Sequence, residues 1–258
     1  MPESMLTGLG ACAVLAVGTW LASLRRRDVS IVDSVWSWLI WAAAAVTALA
    51  SQATGPRAPW VLLLSGAWAL RLSAHITLRH RGQPEDHRYQ AIRRRNEPHF
   101  QWKSLYLVFG LQAVLAWIVA LPLMMAATAS APWQALDVLG VALFCFGFLY
   151  EAIADAQLER FKGNPDNRGK VMDRGLWRYS RHPNYFGECC LWWGLWLIAT
   201  AAGAWWTVLS PLLMTVLLLR VSGVTLLEAD IGERRPAYAD YMRRTSAFVP
   251  WRPRLELP

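Results

Sequence analysis

The chain has 258 residues, of which 55% are hydrophobic and only 17% charged, with a formal net charge of +8. Soluble proteins carry about 25% charged residues, so this composition leaves too little polar surface for a water-soluble globule. It also excludes a disordered, collagenous or disulfide-built chain. The 16 Trp point the same way, because indole favours the boundary between hydrocarbon and headgroups.

Seven apolar stretches come near the ~20 residues that span a bilayer: 5–23, 30–50, 59–78, 104–127, 135–156, 185–202 and 204–224. The first is not a cleavable leader, since Arg25, Arg26 and Arg27 follow its apolar run instead of preceding it. The sixth and seventh are so close that they form a helical hairpin. Alternating the connections puts Arg25–Arg27, loops 79–103 and 157–184 and the C-terminal tail on one face. The other face carries one basic residue, Arg57. The positive-inside rule assigns the first face to the cytoplasm. The expected architecture is all-α: a polytopic bundle of about seven transmembrane helices with the N-terminus outside and the C-terminus cytoplasmic. It forms a single integral membrane domain over 1–258. The charge is then mostly topology, which argues against a nucleic-acid partner. The composition hints at a bacterial inner membrane. Cys12, Cys145, Cys189 and Cys190 fall inside apolar runs and read as small buried hydrophobes. Their spacing suggests no metal.

A charge at the bilayer centre costs about 2.5–3.5 kcal/mol on insertion scales, so the ionisable residues within the spans point to pairing or function. They are Asp33, Arg71, Glu151, Asp155 and Glu188, with His75 as a milder case. On the third helix, Trp68, Arg71, His75 and Arg79 form one stripe. Glu151, Asp155 and Glu159 do so on the fifth helix, and Asn184, Glu188 and Trp192 on the sixth. All five charges are expected in the cytoplasmic half, which suggests a polar cavity open to the cytoplasm. The simpler alternative is that Arg71 pairs with Asp33 or Glu151 and merely locks helices together.

The strongest local pattern is RGLWRYSRHPNYFGE, residues 174–188. It ends a basic loop and opens the sixth helix, with Pro183 suited to the first helical turn. The unpaired N–H groups of that turn and the helix dipole favour an anion. Arg178, Arg181 and His182 surround the turn, and Lys162, Arg168 and Lys170 add cations upstream. Asn184 and Glu188 share one helical face and can hydrogen-bond an amide. The pattern suits a ligand with phosphates at one end and a carboxamide at the other. Lipid headgroups are the bland alternative, but they need no buried carboxylate.

RHPNYFGE, together with VDSVW (32–36), RGQPEDHRYQ (81–90), the Gln112 region and ERRPAYADYMRRTSAFVPW (233–251), resembles the steroid 5α-reductase family. The closest likeness is to a bacterial branch of largely uncharacterised membrane proteins. HPNYFGE also recurs in membrane methyltransferases of isoprenylcysteine type. The resemblance implies an NADPH-dependent reductase of a carbon–carbon double bond conjugated to a carbonyl, such as a 3-oxo-steroid 4-ene or similar enone lipid. The C-terminal half, about 135–258, would hold the cofactor and the N-terminal half, about 1–134, the substrate. By position, Asp155, Lys162, Lys170, Asn184 and Glu188 would contact cofactor, the lysines at phosphates and Asn184 and Glu188 at the nicotinamide end. Arg168, Arg174, Tyr179, Arg181, His182 and Tyr185 are counted with them. The tail, with Glu228, Arg235, Tyr238 and Tyr241, would close over the adenosine part. Glu151, grouped with this set, stands where steroid reductases carry a neutral amide. A second departure concerns the substrate. The family's Gln-Glu pair and following Tyr, which polarise the substrate carbonyl, are missing, since Gln52 precedes Ala53 and the Tyr position falls near Ala69. His75 and Arg71, with Asp33 as orienting partner, are therefore the expected electrophile, and Asp86 and Tyr89 the next candidates. The rival readings are an S-adenosylmethionine-dependent methyltransferase and a non-enzymatic lipid-binding protein. In each case the partners are a lipophilic small molecule and membrane lipid.

Overall fold

The computed structural model describes residues 2–221, 224, 228 and 236–254. Among these the chain is helical and contains no strand. Among the described residues, five helices are long and apolar enough to cross a membrane: α1 (Pro2–Arg26), α2 (Ile31–Ala50), α3 (Ala58–His80), α5 (Phe100–Val119) and α7 (Ala135–Gly163). The protein is thus an integral membrane protein with several transmembrane helices. Between them lie α4 (His87–Asn96) and α6 (Leu121–Thr128). They are followed by α8 (Pro183–Ala201), α9 (Leu209–Val216) and α10 (Pro236–Arg244). The fourth apolar stretch is not one rod: α5 contains a π-helical turn at Leu105–Gly110, and Pro122 opens α6.

The chain divides into two compact units, Met1–Gln134 with Ala199–Ser210, and Ala135–Ile198 with Pro211–Pro258. In the first, α2 packs against α1, α3, α5 and α6. Its interior mixes large side chains such as Leu39, Ile40, Phe109 and Met124 with many small ones: Ala43, Ala44, Ala69, Ala113 and Ala116 are almost fully buried. Such residues let backbones approach where no water drives association. Polar side chains then tie one helix to the next. The Trp20 indole donates to the Gln101 carbonyl at 2.8 Å, Trp117 to Met5 at 2.9 Å, and Trp41 to Leu62 at 3.0 Å. Arg57, fully buried, donates to the Ala131 and Pro132 carbonyls at 2.5 and 2.9 Å. This cation staples the two short connections 51–57 and 129–134 together.

In the second unit α7 and α8 meet along glycine. A Cβ on Gly147 would lie 2.4 Å from the Gly187 carbonyl oxygen, and one on Gly194 would lie 2.6 Å from that of Gly140. The two glycines on each helix are seven residues apart, about two turns, so they share a face. No larger side chain fits either contact.

Two readings from composition need correction. Indole is not confined to an interfacial belt: Trp68 and Trp192 are fully buried, whereas Trp60, Trp102, Trp205 and Trp251 are more than half exposed. Nor are all four thiols buried: Cys12 and Cys189 are, but Cys145 is exposed. It lies on a face of α7 that also shows Phe146, Leu149 and Ile153 outward, where lipid replaces protein.

Candidate functional site

In the first unit a polar network joins α2, α4 and α5. Asp33 lies in the first turn of α2, where the helix dipole favours a carboxylate. It accepts from the Arg88 guanidinium at 2.7 Å and from the Tyr89 hydroxyl at 2.5 Å. Gln112 donates to the same phenol oxygen at 3.0 Å. Asp86 caps α4 by accepting from the Arg88 backbone N–H at 2.9 Å, and it also takes the Arg88 side chain at 3.0 Å. Glu85 fixes the loop from behind. Its carboxylate accepts from the Val29 N–H at 2.9 Å and from Arg93 at 2.7 and 3.0 Å.

The electrostatics follow from these contacts. Burial pushes the Tyr89 phenol well above its ordinary range, and the Asp33 charge and hydrogen bond add to that. Arg88 and Gln112 oppose the shift without cancelling it. Tyr89 is therefore a neutral hydrogen-bond donor across the physiological range. Burial raises Asp86, but the Arg88 hydrogen bonds and charge outweigh it and hold this carboxyl below its usual range. Arg88, between two carboxylates, is held more firmly protonated than usual despite its burial. On α3 the expected stripe runs from core to surface, with Trp68 buried, Arg71 and His75 half-buried and Arg79 exposed.

In the second unit the glycine seam leads into acid side chains. Glu151, Asp155 and Glu188 are 2, 5 and 7% exposed. The Gly187 Cβ position lies 2.6 Å from the Glu151 backbone nitrogen, so these helices touch one turn beyond Gly147. One turn further, Asn184 donates through Nδ2 to Asp155 Oδ1 at 3.1 Å. That bond fixes the amide, because an oxygen facing the carboxylate would set acceptor against acceptor. Asn184 Oδ1 is then a buried acceptor with no hydrogen-bond partner among the described residues. Leaving such an atom unsatisfied costs about 1–3 kcal/mol. A ligand N–H would remove that cost. Glu151, Asp155 and Asn184, separated in sequence, are thus brought onto one seam.

The residues just before α8 are held by the C-terminal segment. Arg181 donates to both Glu228 oxygens at 2.7 and 2.8 Å and to the Met242 and Thr245 carbonyls at 2.8 Å each. His182 Nε2 lies 2.9 Å from Glu228 Oε1. Ser180 donates to the Phe248 carbonyl at 2.7 Å, and Tyr241 donates to the Trp177 carbonyl. Burial opposes ionisation of Glu228, but hydrogen bonds from His182 and Arg181 prevail and hold it below its usual range. Burial, then the Glu228 charge, pushes Tyr238 up to about 12, and burial also raises Tyr241. Tyr185 stacks on His182, with ring centres 5.5 Å apart and planes 8° apart. Arg181 and Glu228, expected at a cofactor, are here bonded to each other.

The loop between α7 and α8 is open to solvent. Lys162, Arg168, Lys170, Arg174, Arg178 and Tyr179 are all exposed. Gly175, at φ +58°, makes the turn that brings the Leu176 N–H to Gln157 Oε1 at 2.9 Å. Arg235 lies outside the described residues. Several organising residues escape sequence reading, among them Arg88, Glu85, Gln157 and Trp177, whose indole donates to the Ala154 carbonyl at 2.9 Å. A capping signal was available for Arg88, since Asp86 directly precedes the helical run HRYQAIRRRN. Gln157 and Trp177 carry no such signal, because their partners are backbone groups.

No curated protein and no solved structure matches the chain. Residues 19–245 match the family described as "Protein of unknown function (DUF1295)". That match covers most of the sequence and includes the polar network of the first unit and the α7–α8 seam, so the chain belongs to the DUF1295 family.

Proposed function

We propose that the protein is a membrane-embedded, NADPH-dependent reductase of a conjugated carbon–carbon double bond in a lipophilic enone. The observation that carries this reading is Asn184. Its amide is oriented by Asp155 and leaves one buried acceptor without a partner among the described residues, which suits the N–H of a carboxamide. The DUF1295 family is associated with steroid 5α-reductase-like membrane proteins, which supports the same chemistry. When bound, NADPH supplies a hydride to the β-carbon of the enone. Asn184 and Glu188 would hold its amide end, and Lys162, Arg168 and Lys170 its phosphates. The oxygen that gains charge during reduction needs a preorganised donor. Within the first unit Tyr89 can supply such a donor only by turning its single O–H away from Asp33, and it is 6% exposed and kept neutral. Asp33, Arg88 and Gln112 position its hydroxyl. His75 and Arg71 of α3, the donors expected from the helical stripe, remain candidates for that role.

In this reading α8 and the apolar segment Trp205–Arg220 are the sixth and seventh crossings. The 19 residues of α8 reach about 28 Å at 1.5 Å per residue, close to the hydrocarbon thickness of about 30 Å. The basic loops put the N-terminus outside and the C-terminus in the cytoplasm, with the cofactor approached from that side of a bacterial inner membrane.

The test is a titration of the purified protein with NADPH, followed by nicotinamide fluorescence, beside one with S-adenosylmethionine. NADPH binding is expected, weakened about tenfold in Asn184→Leu by loss of one buried hydrogen bond. Binding of S-adenosylmethionine alone, or no binding of NADPH at saturation, overturns the proposal.

A further inference from the structure

The C-terminal segment carries a second cationic feature, apart from the basic loop before α8. A cavity of about 330 Å³ is lined by Arg181, Arg243, Arg244, Arg252 and Arg254, together with Thr245 and Ser246, and no acidic residue lines it. Three of the five guanidinium groups are balanced: Arg181 by Glu228, Arg243 by Asp240 and Arg244 by Asp173. Arg252 and Arg254 are exposed, and their side chains have no acidic partner among the described residues. Two positive charges therefore face one concave surface together, which is unfavourable unless an anion shares it.

A second cavity, of about 290 Å³, shares Trp251 and Arg252 with the first and continues along Tyr150, Tyr179 and Pro250. Its wall is aromatic. Tyr150 belongs to the membrane-crossing helix α7, about 10 Å along the axis from Gln157, where the polar end begins. Phe146, Leu149 and Ile153 face outward on the same helix. Val249 and Trp251, beside the arginines, are 56 and 74% exposed. Large apolar side chains among cations are costly in water and favourable at a headgroup boundary. The two cavities thus present a cationic cup joined to an aromatic channel along a lipid-facing helix.

We propose that these cavities form a binding site for an anionic phospholipid, with its phosphate between Arg252 and Arg254 and its glycerol and upper acyl chain along Trp251 and Tyr150. A free phosphate would use the cup alone and leave the aromatic channel unexplained. The phosphate contact rests on Arg252 and Arg254, which the reductase reading does not use, although Arg181 and Tyr179, expected at its cofactor, also line the cavities.

The test uses the full chain purified in detergent, with melting temperature and native mass spectrometry read against added phosphatidylglycerol or phosphatidylcholine. Phosphatidylglycerol is expected to raise the melting temperature and remain bound, less so at high salt. In R252Q/R254Q its affinity should fall about thirtyfold, since each cation at an anionic surface contributes roughly fivefold. W251A should also weaken lipid retention. R94Q/R95Q, which removes the same charge from exposed positions of α4, should not. Equal loss in R94Q/R95Q, equal stabilisation by inorganic phosphate, or undiminished phosphatidylglycerol binding in both R252Q/R254Q and W251A would each overturn the assignment.

Discussion

The Asp33–Arg88–Tyr89 network and the Arg181–Glu228 cluster use the same kinds of side chain to opposite ends. Arg181 uses all three nitrogens in four bonds: one carboxylate grips it twice, and two backbone carbonyls take the third nitrogen. Arg57 is held in the same manner by two carbonyls. A buried cation with its donors engaged holds chain segments in place. Tyr89 is arranged differently. Its hydroxyl lies between an acceptor and an amide donor, and the oxygen keeps the capacity to reorient toward a third group. Asn184 shows the same incompleteness, with one end fixed and the other without a hydrogen-bond partner among the described residues. The contrast teaches that burial of a polar group does not by itself mark chemistry; unfilled bonding capacity is the better sign.

The contrast can be broken most directly at Arg181. Arg181→Met leaves Glu228 and two carbonyls without their cation. The expected destabilisation is about 3–5 kcal/mol, typical of removing one partner of a buried pair, and is visible as loss of monodisperse protein in detergent. If the variant keeps its melting temperature, the cluster is not a staple. Tyr89→Phe should act on turnover instead. Losing a preorganised donor to a developing negative charge lowers kcat about 10²–10³-fold, whereas stability should drop by only about 1 kcal/mol. Equal damage to both would put Tyr89 with the staples. Gly147→Leu tests the seam that brings Glu151 and Asn184 together. Its side chain meets the α8 backbone, and overpacking of this kind costs about 1–3 kcal/mol, measured by thermal unfolding in detergent.

The smallest effects concern pH. Glu228 has a lowered pKa in the folded protein, so its contribution is complete above the ordinary carboxylate range and is lost as pH falls through the folded value. Tyr238 is raised to about 12, so its contribution is complete below the ordinary phenol range and is lost as pH climbs toward that value. Melting temperature should therefore decline at both extremes. Tyr238→Phe should flatten the alkaline limb alone, and an unchanged limb would remove Tyr238 as its cause.

Much of this was legible in the sequence because costly placements leave a strong trace. Apolar length announced the membrane helices, and Asp33, Glu151, Asp155 and Glu188, acidic residues within apolar runs, announced polar contacts between elements. The Pro183 turn announced the start of α8. What the sequence hid was partnership. Asp33 looked like a companion for Arg71 and His75, yet Arg88 and Tyr89, in the first turn of α4 more than fifty positions away, reach it. Such pairing depends on how the loop folds back, and only its cap at Asp86 is written locally. Trp177 and Gln157 bind backbone groups, which every residue possesses, so no side-chain pattern could reveal them. The π-helical turn in α5, just ahead of Gln112, likewise has no sequence signature in an unbroken apolar run.

One consequence of the Arg181 cluster concerns synthesis. Ser180 and Arg181 take their partners from Met242, Thr245 and Phe248, which follow 61 to 68 positions later. A nascent chain therefore completes α8 well before the groups that will hold its first turn have been translated. Until then the Arg181 cation lacks the Met242 and Thr245 carbonyls that it binds in the finished chain. Chains terminated early would carry every long apolar helix and yet display that unsatisfied arginine, a mark by which cellular proteolysis could tell an unfinished copy from a complete one.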